Sequence, residues 1–267
     1  MRSAWRILGL IVLGGLSLQL YFAARIALMR VVDPQSTTFQ RSEIARLARD
    51  KHEVLWSQEW RAYEQISDNL KRAVIASEDA NFADHGGVEW DAIENAWKRN
   101  NLAQARADKL RQQADARYER AVARAKARKR PLPEPPAQLA KAATPKVIGG
   151  STITQQLAKN LFLSSERNFL RKGQEFAITF MLEGLLGKER ILAIYLNNVE
   201  WGEGVFGAQA AARHYFHVDA SQLGATPSAR LAVMLPAPKR FEKSPGSAYV
   251  TGRGATIAAR LHAVELP

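Results

Sequence analysis

KRAVIASEDANFADHGGVEW, residues 71–90, sets two acids, Glu78 and Asp79, directly after the apolar run Ala73, Val74, Ile75 and Ala76. Leu70, Val74 and Ser77/Glu78 share one face by i,i+4 and i,i+3 spacing. That spacing predicts a helix over NLKRAVIASED, residues 69–79, with the acids at its end. A carboxylate at the edge of a buried segment is either paired for structure or poised for proton transfer. The surrounding chain sharpens the question, because its formal net charge is +12.

The 267 residues allow one large domain or two small ones, and 46% apolar content argues against global disorder. Cysteine is absent, which excludes disulfides, thiolate zinc sites and cysteine nucleophiles. A pI near 10.1 predicts attraction to nucleic acid, anionic lipid or phosphate-bearing substrates without choosing among them. Near the N-terminus, ILGLIVLGGLSLQLYFAA (residues 7–24) carries no charge over eighteen residues. As a helix it spans about 27 Å, close to a hydrocarbon core of roughly 30 Å. Arg2 and Arg6 precede it, Arg25 and Arg30 follow it, and Trp5 and Tyr21 suit the two interfaces. Arginines on both sides leave orientation open. A cleaved signal peptide is the alternative, but the run is longer than a usual signal core, which favours an uncleaved single-pass anchor. The expected organisation is a tip and anchor over residues 1–30, a linker over 31–45, and one domain over 46–267.

Within that domain no strand-length alternation and no internal repeat stand out. Helices are expected over residues 89–100 (EWDAIENAWKRN) and over GGSTITQQLAKNLFL (149–163), where Thr152 and Gln155 have capping-box spacing. Further helices are expected over residues 167–186, broken or bent near Gly173, over 188–198 and 208–216, and finally over 228–241, stopped by Pro236 and Pro238. Residues 101–146 differ: they hold 12 Lys/Arg against 4 Asp/Glu, many alanines, and no continuous apolar stripe. They read as a basic insertion, helical on propensity with little to bury, ending in the extended, proline-rich RPLPEPPAQ. A solvated arm is the bland reading, and a strip touching anionic headgroups the sharper one.

Several familiar signals fail. Gly202, Gly204 and Gly207 spell G-x-G-x-x-G, but after a helix rather than a strand. Ser151 is not in a G-x-S-x-G elbow. His214 and His217 lack a third ligand. A better signal is Arg167, Arg171 and Glu175 at i, i+4, i+8, with Lys172 alongside and Lys159 on the preceding helix, one turn from Gln155 and Gln156. These residues are either a surface ion-pair ladder or a cationic cradle for phosphates.

In order along the chain, five stretches resemble the motifs of the peptidoglycan glycosyltransferases. KRAVIASEDANFADHGGVEW matches the first, E-D-x-x-F-x-x-H-x-G, at Glu78, Asp79, Phe82, His85 and Gly87. GGSTITQQLAKNLFL resembles the second and RKGQE the third, R-K-x-x-E. KERILAIYLNNVEWGEGVFGAQAAARHYF matches the fourth and LAVMLPAPKRF the fifth. With no transpeptidase domain following, the resemblance is to monofunctional, membrane-anchored biosynthetic transglycosylases.

The resemblance implies a mainly α, lysozyme-like fold with head and jaw lobes. The implied substrates are lipid II and the lipid-linked glycan strand, in the bacterial inner membrane, with the N-terminus cytoplasmic and the catalytic domain periplasmic. By motif, Glu78 is the general base and Glu175 the second acid, placing pyrophosphate or a metal ion. Lys159, Arg167, Arg171 and Lys172 stabilise the leaving pyrophosphate, and Ser151, Thr152, Gln155 and Gln156 line the cleft. Asp79, Phe82, His85, Gly87, Asn160 and Asn197 support the motifs. Mg2+ or Mn2+ is a candidate cofactor, and no organic cofactor or nucleic acid is expected. Other cell-wall synthesis or division proteins are candidate partners. One departure is Arg190, where many members carry an acid. Two other readings stand beside this one: a lysozyme-like hydrolase or lytic transglycosylase, and a membrane-tethered polyanion-binding protein.

Overall fold

The computed structural model describes residues 2–133, 150–163 and 169–267, apart from the side chains of Arg2 and Phe169. The chain forms two compact units, Met1–Val88 with Ser151–Pro267, and Glu89–Gly150.

The first unit opens with α1 (Arg2–Leu28), the one helix among the described residues long and apolar enough to cross a membrane. Its last turns do not stand apart from the domain. Phe22, Ile26 and Met29 are buried in the main core cluster, and α1 packs against α6 (Phe169–Leu185). Gln19 and Gln174 exchange side-chain amide hydrogen bonds of 2.8 and 3.0 Å, and Arg30 donates to the Leu185 carbonyl at 2.7 Å. Both pairs are 155 residues apart, so α1 and α6 run parallel in register. Arg190, at the position where an acid was expected, holds the end of the anchor. It donates to the Met29 carbonyl at 2.7 Å and to Asp33 at 2.7 Å.

The linker is shorter than the 31–45 expected. α2 (Thr38–Asp50) begins inside it, because Thr37 and Gln40 form a reciprocal capping box and Gln40 then reaches the Asn198 carbonyl at 3.3 Å. Its hydroxyl cluster is a helix start rather than a flexible spacer. α3 (Asp68–Glu78) packs against α9 (Ala225–Met234), and α9 against α11 (Ala248–Ala258). α5 (Ile153–Phe162), α6 and α7 (Lys188–Asn198) form the other half of the core through Leu157, Ile178, Leu182, Ile191 and Ile194. α8 (Ala208–Phe216) follows the expected boundaries, as does α7.

Three expectations are corrected here. α6 runs unbroken through Gly173, whose cost of about 1 kcal/mol in a helix is offset by packing against α1 and by ion pairs on both sides. The helix expected over 228–241 divides at Leu235–Ala237, and Pro238 starts a separate turn, α10 (Pro238–Phe241), where its fixed φ suits the first helical position. α11 follows it, and with two glycines and β-branched residues its sequence gave little warning. Gly254 lets it approach α9 closely, as an added Cβ would lie 3.2 Å from Arg230 Cγ. A small sheet also forms, β1 (Ser57–Gln58) parallel to β3 (Val205–Phe206), and β3 antiparallel to β2 (Glu200–Gly202). The G-x-G-x-x-G run is its hairpin. Gly204 has φ +75° and a Cβ there would meet the Leu55 carbonyl at 2.2 Å, so backbone geometry accounts for it.

The second unit contains α4 (Trp90–Ala127), 38 residues or about 57 Å long. The helix expected over 89–100 therefore continues straight into the basic stretch, since Ala, Arg, Lys, Gln and Glu all favour helix and no Gly or Pro interrupts before Pro131. Only Ala96 and Ala107 of α4 are buried. The proline-rich reading lies mostly outside the described residues.

Candidate active site

α3 stops at Glu78 because Asp79 leaves helical geometry (φ −163°, ψ 74°) while its amide still bonds the Ile75 carbonyl. The two adjacent acids thereby point into different surroundings. Asp79 is buried and fully engaged: its Oδ1 lies 2.8 Å from His85 Nε2, and its Oδ2 accepts from the Ile153 amide at 2.9 Å. Gly87 donates its amide to His85 Nδ1 at 3.0 Å, which leaves Nε2 as the nitrogen that donates to Asp79. Phe82 is fully buried beneath this loop. Asp79 thus ties the loop after α3 to the N-terminus of α5, where a helix favours negative charge.

Glu78 is half-buried and, among the described residues, holds one neutral partner, Gln156, whose Nε2 donates to Oε2 at 2.9 Å. Tyr195 fixes that amide in turn, its hydroxyl donating to Gln156 Oε1 at 2.9 Å. Burial pushes the Glu78 carboxyl above the usual carboxylate range, neighbouring Asp79 adds to the rise, and the Gln156 hydrogen bond opposes it. That is the environment of a proton acceptor.

α5 begins at Thr152, whose hydroxyl caps the Gln155 amide at 3.2 Å and donates to the Gly87 carbonyl at 2.7 Å. Gln155 completes the capping box, and its Nε2 is buried without a partner among the described residues. Ser151 is exposed just before the cap, Lys159 is exposed one turn beyond Gln155 and Gln156, and Asn160 is half-buried beside it. Gly87 has φ +87°, and a Cβ there would lie 2.7 Å from both Glu183 Cγ and Thr179 Cγ2. The loop after α3 is thereby pressed onto α6. Thr179 also bonds the Glu175 carbonyl at 2.8 Å, which places the loop one turn from the second acid.

Glu175 is 4% exposed, with Arg171 on one oxygen at 2.9 Å and Lys172 on the other. Its carboxylate is spent on orienting cations. Among the described residues no group of three His, Asp or Glu side chains could hold a metal ion. The acid beside these cations is Glu175, and both of its oxygens are already held, by Arg171 and Lys172. Arg167 lies outside the described residues. Asn197 is fully buried away from this network, bridging the Arg61 backbone to the Ala193 carbonyl, so it serves the fold.

Sequence reasoning missed Tyr195, Glu183 and Lys188. Glu183 accepts from Thr154 at 2.6 Å and pairs with Lys188 at 2.9 Å, while Lys188 also reaches the His85 carbonyl at 2.5 Å and covers the Phe82 ring. An acid inside the apolar run FMLEGLL was the available signal.

The family model described as Transglycosylase matches residues 44–115 and 137–262. The chain is 47% identical over 252 residues to a protein of Paraburkholderia phytofirmans named biosynthetic peptidoglycan transglycosylase, covering 94% of this chain and 88% of that one. A protein of the same name from Burkholderia orbicola is 49% identical over 94% of this chain and 86% of its own length. With most of the chain matched and the five motifs folded into one core, the chain belongs to the transglycosylase family.

Proposed function

We infer that this protein is a monofunctional peptidoglycan glycosyltransferase that polymerises lipid II into glycan strands. The observation that carries the reading is Glu78, a half-buried carboxylate with a raised pKa and an amide holding one oxygen. In the proposed step Glu78 takes the proton of the acceptor GlcNAc 4-hydroxyl. That oxygen forms a bond to C1 of the donor MurNAc as the C1–O bond to lipid pyrophosphate breaks, with inversion from α to β. A positioned base contributes about 10² to 10⁴ in rate. Negative charge builds on the leaving pyrophosphate, where Arg171 and Lys172, oriented by Glu175, stabilise it together with Lys159 and Arg167. A glycosidase acting on finished polymer has no pyrophosphate for such a cradle to hold.

The docking of Phe22, Ile26 and Met29 into the domain core supports an uncleaved anchor; a periplasmic lipid-linked substrate would require it to lie in the inner membrane with the catalytic domain on the periplasmic side. The test is incubation of purified protein with labelled lipid II, followed by lysozyme. Lysozyme-sensitive polymer is expected, and Glu78→Gln should reduce it at least about 100-fold with the fold intact. Near-normal polymerisation by that variant would refute the assignment of the base.

A further inference from the structure

The C-terminal end of α4 gathers positive charge in a way the glycosyl-transfer site does not use. Arg117, Arg120, Arg124 and Arg128 follow one another at i, i+3, i+7 and i+11, which keeps them on one face of the helix. The chain then turns back on itself: Lys129 is left-handed (φ +51°), and the Arg130 amide bonds the Ala125 carbonyl at 3.0 Å. This turn returns Arg130 to the same face. Together with Pro131 and Pro133, the five arginines line an open cup of about 490 Å3 floored by Ala121 and Ala125. The small floor leaves room between the guanidinium groups, and the prolines stiffen the wall.

No carboxylate pairs with any of the five arginines among the described residues. Like charges at helical neighbour spacing repel, so this arrangement is unfavourable until an anion enters it. Guanidinium forks match phosphate oxygens two at a time, and five of them exceed what one phosphate can engage. No aromatic side chain lines the cavity, so it lacks the stacking platform that single-stranded nucleic acids use. The chain's own apolar helix instead tethers the protein to a lipid surface, so lipid headgroups are the phosphates at high effective concentration. The family model leaves residues 116–136 unmatched, so the cup is an addition to the common fold.

We propose that the five-arginine cup at the end of α4 binds a lipid headgroup carrying two phosphates. The test uses full-length protein in phosphatidylcholine nanodiscs doped with cardiolipin, which has two phosphates, or with phosphatidylglycerol, which has one. Lipids retained per protein are counted by native mass spectrometry, a readout independent of glycan polymerisation. The wild type is expected to retain cardiolipin in preference to phosphatidylglycerol. A triple variant, Arg120→Gln, Arg124→Gln and Arg128→Gln, should lose about 100-fold in affinity, each charge near an anionic surface being worth roughly a factor of five. A second variant lacking residues 116–136 should lose the preference too. Both variants should keep wild-type polymerisation in detergent, which shows that the catalytic unit is folded. Equal retention of the two lipids by the wild type, or undiminished cardiolipin on either variant, would overturn the proposal. So would displacement of cardiolipin by a DNA oligonucleotide at lower concentration than by inorganic pyrophosphate.

Discussion

Tyr195→Phe isolates how the base is held. Tyr195 is buried and touches the reaction only through Gln156: its hydroxyl fixes Oε1 at 2.9 Å, and Gln156 then presents Nε2 to Glu78 at 2.9 Å. Removing one hydroxyl leaves an acceptor without its donor, which costs about 1 to 3 kcal/mol of stability and frees the amide to flip. A flipped amide sets Oε1 against the Glu78 carboxylate. The one interaction that lowers the Glu78 pKa is then lost, while burial and Asp79 continue to raise it. A hydrogen bond to a charged group is worth about 1.5 to 3 kcal/mol, and losing part of it corresponds to roughly a tenfold loss of rate where Glu78 must be ionised. Because the base is active when deprotonated, the loss should be greatest on the acid limb of the kcat profile and shrink as pH rises. The assay is initial-rate polymerisation of labelled lipid II across the pH range, with KM measured at each point. A loss that is constant at every pH, or one confined to KM, would show that Tyr195 acts on packing or substrate binding and not through the base.

Other expectations concern the frame around the site. Glu200 is 6% exposed, its Oε1 has no hydrogen bond, and Lys239 stands 3.6 Å away, so burial pushes its pKa up to about 7. A carboxyl raised on folding adds stability below its unfolded range near 4.3 that is lost as pH climbs through 7. Glu200→Gln should therefore stabilise the fold at pH 8 by up to about 3 kcal/mol, read as a higher melting temperature, and give no gain at pH 4. Parallel melting curves for the two proteins against pH would contradict this. Gly87→Ala must accept both a left-handed backbone and a Cβ 2.7 Å from two side-chain atoms. It should cost about 2 kcal/mol or more in denaturant melts and, by moving His85, depress polymerisation as well. Arg190→Ala removes the bonds to the Met29 carbonyl and Asp33. Limited proteolysis just beyond α1 should accelerate, with about 1 to 2 kcal/mol lost from the unfolding of the domain; unchanged cleavage would mean that Phe22 and Ile26 suffice to dock the anchor.

How far the sequence reached can be judged at particular residues. Periodicity placed α3, α5, α7 and α8, because their apolar faces and caps are local and a 3.6-residue repeat is visible without knowing what covers it. The motif spacing singled out Glu78, Asp79, Gln156 and Glu175. The anchor's existence was equally legible, since eighteen uncharged residues have few other uses. Its docking was not. Gln19 finds its partner 155 residues away on α6 and Ile26 is buried in the main core, and nothing near residue 26 announces that. α11 was invisible for the same reason: two glycines weaken the local signal, and packing against α9 supplies what propensity withholds.

The division of labour between Glu78 and Asp79, which the motif match implies, has its physical cause only in the tertiary structure. By spacing the two are interchangeable acids at a helix end. Folding brings the α5 N-terminus and His85 to one and a single amide to the other, so Asp79 becomes a fully bonded strut and Glu78 a desolvated base. Sequence determined that acids, cations and an anchor exist in this order, because those are properties of residues and their neighbours. Which acid keeps its proton affinity depends on burial and on partners some 75 residues away, and the fold alone brings those together.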